Sequence, residues 1–384
     1  MPVFHQTFSV PQRYDVHFTR DLFAPDNDTL ARALPADGRK ALAYFDAGLV
    51  AGAPHLPDAL RAWAARHPDR LRLMDVQTVP GGEAIKNSFA IVDRVGDDFR
   101  RHGLDRQCWV LACGGGAVLD AVGFATAIIH RGARLLRFPS TVLSQNDSGM
   151  GVKNGINRFG LKNYYGVFAP PAAVFCDFAL LDPLSDRVWR SGVAEAFKVG
   201  CIKDAAFLDA LIAAAPALHR RERAAGEAMV LRAAELHLAH IATSGDPFEQ
   251  GTSRPLDFGH WSAHRLESLT EFDLLHGEAV AIGVALDLHV AALLNYVTLA
   301  DARRVVAAMA TVGLPVWHPF LRERFGDLRR GLEEFREHLG GRLTLAMPRP
   351  LGRQEDIAAL GEPLLRQAVG LLEEVAAVAA AAGA

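Results

Sequence analysis

Four side chains that could bind a divalent metal ion stand in the second half of the sequence. Glu195 lies three residues before Lys198 in a helical pattern, so the two share a face. His260 and His264 are four residues apart and also share a face, while His276 precedes a long apolar helix. One carboxylate with two imidazoles is a common metal-binding set that leaves a position open for a substrate oxygen. The alternative is chance, because the chain has fifteen histidines.

A glycine triplet in the first half could bind phosphate. Gly114, Gly115 and Gly116 lie where a predicted strand meets a predicted helix, so backbone N–H groups could approach a pyrophosphate at the helix N-terminus. The spacing is not the usual Gly-x-Gly-x-x-Gly fingerprint, and a tight strand–helix turn is the alternative. Three charged residues at other predicted strand ends could converge on a ribose or adenine, or else are solvated loop charges: Asp46, Glu83 and Lys86.

A long polar segment over residues 144–166 could bind the substrate. Long ordered loops in compact domains are usually functional. The cations and amides of this segment suit a small, phosphorylated, polyhydroxylated molecule, although a solvated basic loop would have the same composition. The candidates are Asp147, Lys153, Asn157, Lys162 and Asn163, with Arg131 shortly before the segment.

Two kinds of sequence position these groups, with a boundary near residue 185. Residues 1–185 repeat a strand, loop and helix pattern, which predicts a parallel, doubly wound sheet. Its strands are predicted over 41–45, 71–78, 108–113, 134–138 and 173–177. Residues 186–384 predict a helical domain with one late strand pair around 342–346. Its helices are predicted over 186–202, 205–214, 220–241, 262–269, 277–294, 300–311, 319–324 and 363–384.

The composition argues against several classes of protein. Half of the 384 residues are apolar and 22% are charged, so neither a disordered chain nor a coiled coil is expected. The net charge of −3 offers no basic surface for nucleic acid or an anionic membrane. The most apolar stretch, 279–294, contains Asp287 and His289, so no membrane span is predicted. Four cysteines without a Cys-x-x-Cys pair predict a reducing, cytoplasmic location.

The motifs taken together resemble the 3-dehydroquinate synthase family. They occur in the family's order and at similar spacing from about residue 46 to residue 283, which covers most of the chain. The broader group is the sugar phosphate cyclases, which includes 2-epi-5-epi-valiolone synthase. The matching segments are 114–120 (GGGAVLD), 138–141 (FPST), 147–157 (DSGMGVKNGIN), 162–163 (KN), 192–198 (GVAEAFK), 257–260 (DFGH) and 276–280 (HGEAV).

The resemblance implies a fold, cofactors and site residues. Such enzymes have a nucleotide-binding α/β domain followed by a helical metal-binding domain, and they bind NAD and zinc or cobalt. By match, the metal ligands would be Glu195, His260 and His276. NAD would be held by Asp46, Glu83, Lys86, Gly114, Gly115, Gly116, Asp120 and Thr141. The substrate site would contain Asp147, Lys153, Lys162, Asn163, Lys198, Asp257 and His264. Arg131 matches a residue that reaches the substrate phosphate of the neighbouring subunit, which implies a homodimer.

The implied reaction is a lyase-type cyclisation of a phosphorylated sugar. NAD takes a hydride from a ring alcohol, the resulting ketone acidifies the neighbouring C–H, and phosphate leaves. The hydride then returns, the ring opens, and an intramolecular aldol reaction closes a carbocycle.

Several positions depart from the pattern of dehydroquinate synthases. The lysine and arginine that receive the substrate carboxylate are replaced by Ala239 and Ser253, and an asparagine is replaced by Asp257. The loss of two cations and the gain of an anion disfavour a carboxylate substrate. The expected substrate is therefore a neutral-headed sugar phosphate such as sedoheptulose 7-phosphate. The alternative is a true dehydroquinate synthase, in which the missing cations are replaced by Arg254, Arg336 or His338, or the missing lysine by His237 or His240.

Two further functions are open. A metal-dependent polyol dehydrogenase of the glycerol dehydrogenase kind shares the glycine turn and the metal set. It has no need of phosphate-binding groups, and four are present: Arg131, Lys153, Lys162 and Asn163. A non-catalytic sugar-phosphate binder would not need the intact metal set.

Overall fold

The chain divides into two compact units. The structure is a computed structural model that describes residues 2–159, 161–245, 247–248, 256–338 and 341–383, without the side chains of 338 and 378–383. The first unit comprises Met1–Ser140 and Gly151–Leu180, and the second comprises Thr141–Met150 and Leu181–Ala384. The second unit therefore takes ten residues from within the first half of the chain. The nucleotide-binding and metal-binding labels of the two domains stay predictions.

The first unit is built on a six-stranded parallel sheet. The strands of this unit are β1 (Asp15–Thr19), β2 (Arg39–Asp46), β3 (Leu71–Val79), β4 (Trp109–Gly114), β5 (Arg134–Pro139), β6 (Lys153–Arg158), β7 (Leu161–Phe168) and β8 (Ala173–Asp177). The order of the six strands in the sheet is β1-β8-β5-β4-β2-β3. Its helices are α1 (Thr29–Ala33), α2 (Ala47–Gly52), α3 (Leu56–Arg66), α4 (Ala90–His102) and α5 (Gly116–Ile128).

Both faces of this sheet are buried, as the continuous apolar runs of its strands require. Along β4, Leu111 packs with Trp63 of α3 on one face. Val110, the residue before it, packs with Val95 of α4 and Val122 of α5 on the other face. Successive side chains of a strand point to opposite faces, so a strand that is apolar throughout needs a helical layer on each side.

The second unit is helical around one central helix. Its helices are α6 (Asp186–Ser191), α7 (Val193–Lys203), α8 (Ala205–His219), α9 (Arg223–Thr243), α10 (His260–Leu269), α11 (His276–Leu293), α12 (Leu299–Val312), α13 (Phe320–Glu323), α14 (Phe325–His338) and α15 (Glu362–Gly383). An antiparallel pair, β9 (Leu345–Pro348) and β10 (Gln354–Ile357), completes the described elements. Helix α11 is long and apolar enough to cross a membrane, but 83% of it is buried within the unit as its core. The cytoplasmic location stays a prediction.

The predicted fold class, an α/β parallel-sheet domain followed by a helical domain, is confirmed. The predicted strands do not include edge strand β1 or the β6–β7 hairpin, and the predicted helices of the second unit do not include α14. The helix predicted over 186–202 is two helices, α6 and α7, which meet at Gly192. A Cβ at Gly192 would lie 2.5 Å from the backbone nitrogen of Leu143, so only glycine fits this junction.

The hairpin makes the predicted substrate loop partly regular. Strands β6 and β7 pair antiparallel over much of the segment that the sequence predicts to be a loop. The fully buried Arg137 of β5 holds the start of the hairpin, because its guanidinium donates to the carbonyl oxygens of Gly151 (2.7 Å) and Lys153 (3.0 Å) and to Asn154 Oδ1 (2.7 Å). The segment that carries Lys153 is therefore anchored to the sheet of the same unit.

Candidate active site

Three potential metal ligands of the second unit converge on one point. Glu195 lies in the buried first turn of α7, while His260 and His276 are the first residues of α10 and α11. Glu195 Oε1 is 3.8 Å from His260 Nε2 and 3.7 Å from His276 Nε2. One ligand atom from each residue lies within 4.8 Å of the others. These separations suit a four-coordinate ion with bonds of about 2.0–2.2 Å. The structure thus brings together the three predicted ligands.

The outer nitrogen of each histidine has a partner that orients the ring. His260 Nδ1 is 3.1 Å from the carbonyl oxygen of Phe258, and His276 Nδ1 is 3.1 Å from Glu267 Oε2. A carbonyl or carboxylate oxygen only accepts, so each Nδ1 carries hydrogen and a neutral ring presents its Nε2 lone pair. Sequence reasoning missed Glu267, which is buried seven residues after His260 on α10. Helical spacing was the available signal, because residues seven apart share a face.

The electrostatics of the three ligands fit a cation. Glu195 is 2% exposed, and its Oε1 accepts no hydrogen bond from the described residues. Burial raises the pKa of Glu195 and lowers that of His260 well below its usual range. A buried carboxylate oxygen without a donor is costly, and a divalent ion between these atoms would compensate it. Neutral imidazole is also the form that binds metal.

His264 lies in the same cluster of histidines but belongs to a different potential ligand set. Its ring centroid is 5.5 Å from that of His260 and 5.9 Å from that of His276, and its side chain is exposed. Together with Glu267 and His276 it forms a second group close enough to hold an ion. Glu267 already accepts from His276, whereas Glu195 Oε1 is unsatisfied, so the set containing Glu195 fits a metal better.

A chain of buried charges continues from Glu195. Lys198 Nζ is 2.5 Å from Glu195 Oε2 and 3.4 Å from Asp147 Oδ2, and His237 Nδ1 is 2.7 Å from Asp147 Oδ1. Burial alone would lower the pKa of Lys198, but the two carboxylates raise it, so the ammonium stays charged. Burial raises the pKa of Asp147, but Lys198 and His237 together lower it well below its usual range. Sequence reasoning named His237 only as a possible substitute for the missing lysine.

The residues around Asp257 are held by Asp287 of the core helix α11. Asp287 accepts from the backbone N–H of Gly259 (3.1 Å) and from Trp261 Nε1 (2.9 Å). Burial raises the pKa of Asp287 to about 7, against the effect of these two donors, and nearby Asp257 raises it further. Asp287, which interrupts the most apolar stretch of the sequence, therefore holds the residues on both sides of His260.

In the first unit, the glycine turn lies at the point where the strand order of the sheet reverses. Strand β3 is added on one side of β2, and β4 on the other, and ligands of parallel sheets bind beyond the strand ends at such a point. Asp46 ends β2 and Gly114 ends β4. A Cβ on Gly114 would lie 2.8 Å from Val118 Cβ and 3.0 Å from Asp46 Cβ. Gly115 caps α5, which begins at Gly116. Asp46 itself caps α2, accepting from Gly48 N at 2.7 Å.

The other predicted NAD residues form a hydrogen-bonded network with the hairpin. Lys86 Nζ is 2.8 Å from Asp120 Oδ2 and 2.5 Å from Asn163 Oδ1. Asn157 donates to Glu83 Oε2 at 3.1 Å and accepts from the backbone N–H of Asn163 at 2.9 Å. Residues predicted for the cofactor and for the substrate thus meet in one unit.

The remaining predicted residues are not drawn into these clusters. The side chains of Lys153, Lys162 and Arg131 are exposed. Thr141 lies in the second unit, where its hydroxyl is 2.8 Å from Ser144 Oγ. Ala239 is exposed on α9. Ser253, which stands where dehydroquinate synthases have a cation, lies outside the described residues. So do Arg254 and the side chain of His338, two of the residues suggested to supply the missing charge.

Comparison with known proteins places the chain in a family. Residues 76–191 match the family model of the 3-dehydroquinate synthase N-terminal domain, and residues 192–332 match that of the C-terminal domain. The chain belongs to the 3-dehydroquinate synthase family. The predicted family and the predicted class of enzyme, a lyase-type cyclase, are confirmed.

Individual members of the family are similar over most of the chain. The 2-epi-5-epi-valiolone synthase of Streptomyces glaucescens is 36% identical over 80% of this chain and 77% of its own length. The 3-dehydroquinate synthase of Geobacter sp. (strain M21) is 38% identical over 63% of this chain, and the match spans 66% of that relative, slightly under two thirds. A solved structure of 2-epi-5-epi-valiolone synthase from Streptomyces hygroscopicus, with NAD+ and Zn2+ bound, has a TM-score of 0.86. It is 28% identical, and the match covers 97% of this chain and 99% of that one.

Proposed function

We propose that this chain is a sugar phosphate cyclase that converts a seven-carbon ketose phosphate to a carbocycle with loss of phosphate. The observation that carries the proposal is the convergence of Glu195, His260 and His276 beside the buried Lys198 and its half-buried partner Asp147. A family fold alone would leave the chemistry open, because one fold serves many reactions. This set of side chains supports metal-assisted chemistry on a hydroxylated substrate.

The proposed cofactors are NAD and a zinc or cobalt ion. Glu195, His260 and His276 would hold the metal, and the turn Gly114–Gly116 would hold the NAD pyrophosphate, with Asp46, Glu83, Lys86, Asp120 and Thr141 near the rest of the cofactor. When bound, NAD supplies a hydride acceptor that is regenerated within each turnover, and the metal supplies Lewis acidity at a substrate oxygen. The similar valiolone synthase structure with NAD+ and Zn2+ supports this assignment.

The chain's own residues would bind and orient the substrate. Lys198 stays charged because two carboxylates flank it, so it can donate to an anionic or developing negative oxygen. Asp147 stays ionised and can accept from a sugar hydroxyl. The exposed Lys153 and Lys162, with Asn163, His264 and Asp257, complete the proposed substrate contacts. A buried, positively charged Lys198 is suited to promoting departure of phosphate.

The proposed substrate has a neutral head group. Asp257 is 8% exposed, and Ala239 offers no charge on α9. A substrate carboxylate beside Asp257 would meet a like charge, which costs several kcal/mol when buried without a partner. A hydroxymethyl group could instead donate a hydrogen bond to the Asp257 carboxylate.

The test compares two substrates in one enzyme preparation. We expect kcat/KM for sedoheptulose 7-phosphate, measured by phosphate release and carbocyclic product, to exceed that for the heptulosonate 7-phosphate by at least about tenfold, the equivalent of 1.4 kcal/mol. Efficient turnover of the heptulosonate that is lost in Arg254→Ala would instead make the chain a divergent dehydroquinate synthase. Stoichiometric accumulation of NADH with product would indicate a polyol dehydrogenase.

The proposed assembly is a homodimer. Arg131 is exposed with a left-handed backbone (φ 62°), and the family resemblance assigns it to the phosphate of the neighbouring subunit's substrate. If it acts across the dimer, mixing inactive Arg131→Ala and His276→Ala chains should restore part of the activity after subunit exchange. A mixture that stays inactive although native mass spectrometry of differently tagged chains shows mixed dimers would place Arg131 in its own subunit's site.

A further inference from the structure

One side chain of the buried charge chain has no role in the proposed function. His237 of α9 lies with its Nδ1 2.7 Å from Asp147 Oδ1, while Lys198 Nζ lies 3.4 Å from the other oxygen, Oδ2. We propose that His237 is a positioning residue that fixes the Asp147 carboxylate for the substrate. This inference rests on the proposed function, because the residue that His237 would position, Asp147, is one of the proposed substrate contacts.

The hydrogen bond has a defined direction. A carboxylate only accepts, so His237 Nδ1 must carry the hydrogen and donate to Asp147 Oδ1. The contact joins two elements of the second unit, helix α9 and the π-helical turn Ser144–Ser148. Single π-helical turns are frequent at functional sites and leave side chains in unusual positions. A donor from a neighbouring helix therefore holds a carboxylate that its own turn presents.

Lys198 alone does not fix this carboxylate. Its ammonium is 2.5 Å from Glu195 but 3.4 Å from Asp147, so the stronger contact is with the proposed metal ligand. Without His237, the side chain of Asp147 would have one long ion-pair contact with the described residues and could rotate about its terminal bond. With His237 on Oδ1 and Lys198 on Oδ2, both oxygens have donors and the plane of the carboxylate is set.

The position of Asp147 matters because its proposed partner is a sugar hydroxyl at the reacting ring. Misplacement of a positioning group by about 1 Å can cost about a hundredfold in rate. We therefore expect His237→Ala to lower kcat/KM for the substrate by about 10- to 100-fold, while metal content stays at the wild-type level. His237 is not among the metal ligands, so a loss of metal would contradict the proposal.

A conservative variant separates positioning from packing. In His237→Asn the amide Nδ2–H group can stand close to where Nδ1–H stood and donate to Asp147. His237→Leu has similar bulk and no donor. We expect His237→Asn to recover kcat/KM to within about fivefold of wild type, and His237→Leu to stay as low as His237→Ala. Equal activity of the asparagine and leucine variants would overturn the proposal.

Two controls accompany these variants. His219→Ala removes an exposed histidine of the second unit, whose Nδ1 is 3.1 Å from the carbonyl oxygen of Val312, and it should leave kcat/KM unchanged. A double-mutant cycle with Asp147→Ala tests the coupling, because His237→Ala should cost little more once Asp147 is gone. Additive losses would show that His237 acts independently of Asp147.

A spectroscopic readout keeps this inference distinct from the proposed function. Nitrogen-15 NMR of the metal-loaded, NAD-bound protein should show hydrogen on Nδ1 of His237, and Asp147→Ala should shift the ring toward the Nε2–H tautomer that predominates in free imidazole side chains. If the wild type releases no phosphate from any heptulose or heptulosonate phosphate, the proposed function fails. The tautomer result still decides whether His237 holds Asp147, and a ring unaffected by Asp147→Ala refutes it.

Discussion

The two candidate binding regions of this chain manage charge in opposite ways. In the first unit, the charged groups near the glycine turn are already paired, since Lys86 lies against Asp120 and Asn163, and Glu83 accepts from Asn157. In the second unit, Oε1 of the buried Glu195 accepts no hydrogen bond from the part of the chain that the structure describes. The charged side chains named in the first region satisfy one another, whereas the carboxylate of Glu195 in the second region is not fully satisfied by the described residues.

The difference reflects the kind of ligand that each region suits. A pyrophosphate can be bound by backbone N–H groups at a helix N-terminus, so the surrounding side chains can satisfy one another. A metal ion binds through the lone pairs of its ligand atoms. If those atoms accepted hydrogen bonds from the protein, these hydrogen bonds would have to break before the metal could bind. Substitutions in the second region should therefore abolish activity by removing metal ligands. Substitutions in the first region should weaken cofactor binding by blocking access to the backbone N–H groups.

The largest effect is expected at the metal ligands. His276→Ala removes one of the three converging atoms, so we expect loss of bound metal and a fall in phosphate release of about a thousandfold or more, equivalent to several kcal/mol of lost charge stabilisation. Metal content by mass spectrometry and phosphate release are the measurements. His264→Ala is the matched control and should retain the metal. If His264→Ala loses metal and Glu195→Gln retains it, the second histidine group is the true site.

The glycine turn offers a contrast between two adjacent positions. Gly115 has φ −73° and ψ 175°, which any residue can adopt, so Gly115→Val should fold normally but weaken NAD binding at least about tenfold by blocking the backbone. In Gly114→Ala, the added Cβ would lie 2.8 Å from Val118, so the variant should lose about 1–3 kcal/mol of stability through overpacking. Calorimetric NAD titration and urea unfolding measure the two effects. Unchanged NAD affinity in Gly115→Val would remove the turn from the cofactor site.

A smaller effect is expected one step away from the metal. Glu267 orients His276 through Nδ1, so Glu267→Ala should weaken metal binding by about 10- to 100-fold, the usual range for such outer partners. Glu267→Gln should lose less, because its amide oxygen can still accept from Nδ1. Competition with a chelator gives the affinities. Identical metal affinity in wild type and Glu267→Ala would show that the ring is held by other contacts.

The sequence predicted the groups whose spacing follows a regular element. The strand ends that carry Asp46 and Gly114, and the helix that carries Glu195, follow from hydrophobic periodicity and glycine turns. Helix α10 begins at His260, two residues before the predicted helix. The motif match then selected His276 from fifteen histidines, which periodicity alone could not do.

What the sequence did not predict depends on contacts between distant segments. His237 meets Asp147 because α9 packs against a π-helical turn, and no local pattern records that pairing. The sequence predicts a loop here because the segment 144–166 is rich in Gly, Asn, Lys and Asp. In the structure the second strand of the hairpin is almost entirely exposed, so it has no need of the apolar alternation of a half-buried strand. The position of the hairpin is instead set by Arg137, a buried cation between the apolar residues Leu136 and Phe138.

The last prediction concerns the pH dependence of stability and the carboxylate of Asp287, which accepts from the residues on either side of His260. Burial raises the pKa of Asp287 to about 7 in the folded chain, from an ordinary value of 3.8. The folded state therefore binds the proton more tightly than the unfolded state does. The stabilisation from this proton is fully present below about pH 4 and is lost as pH rises through about 7. Asp287→Asn cannot ionise, and its oxygen can still accept from Gly259 or Trp261.

The stability of wild type relative to Asp287→Asn should consequently fall between pH 5 and pH 8, by at most about 1.4 kcal/mol per pH unit. Urea unfolding of the two proteins side by side measures this difference, and a chelator in all samples removes the contribution of metal binding. Asp58→Asn, an exposed carboxylate of α3, serves as the control. A difference that stays constant from pH 5 to pH 8 would mean that Asp287 keeps one ionisation state throughout, with its two N–H donors outweighing its burial.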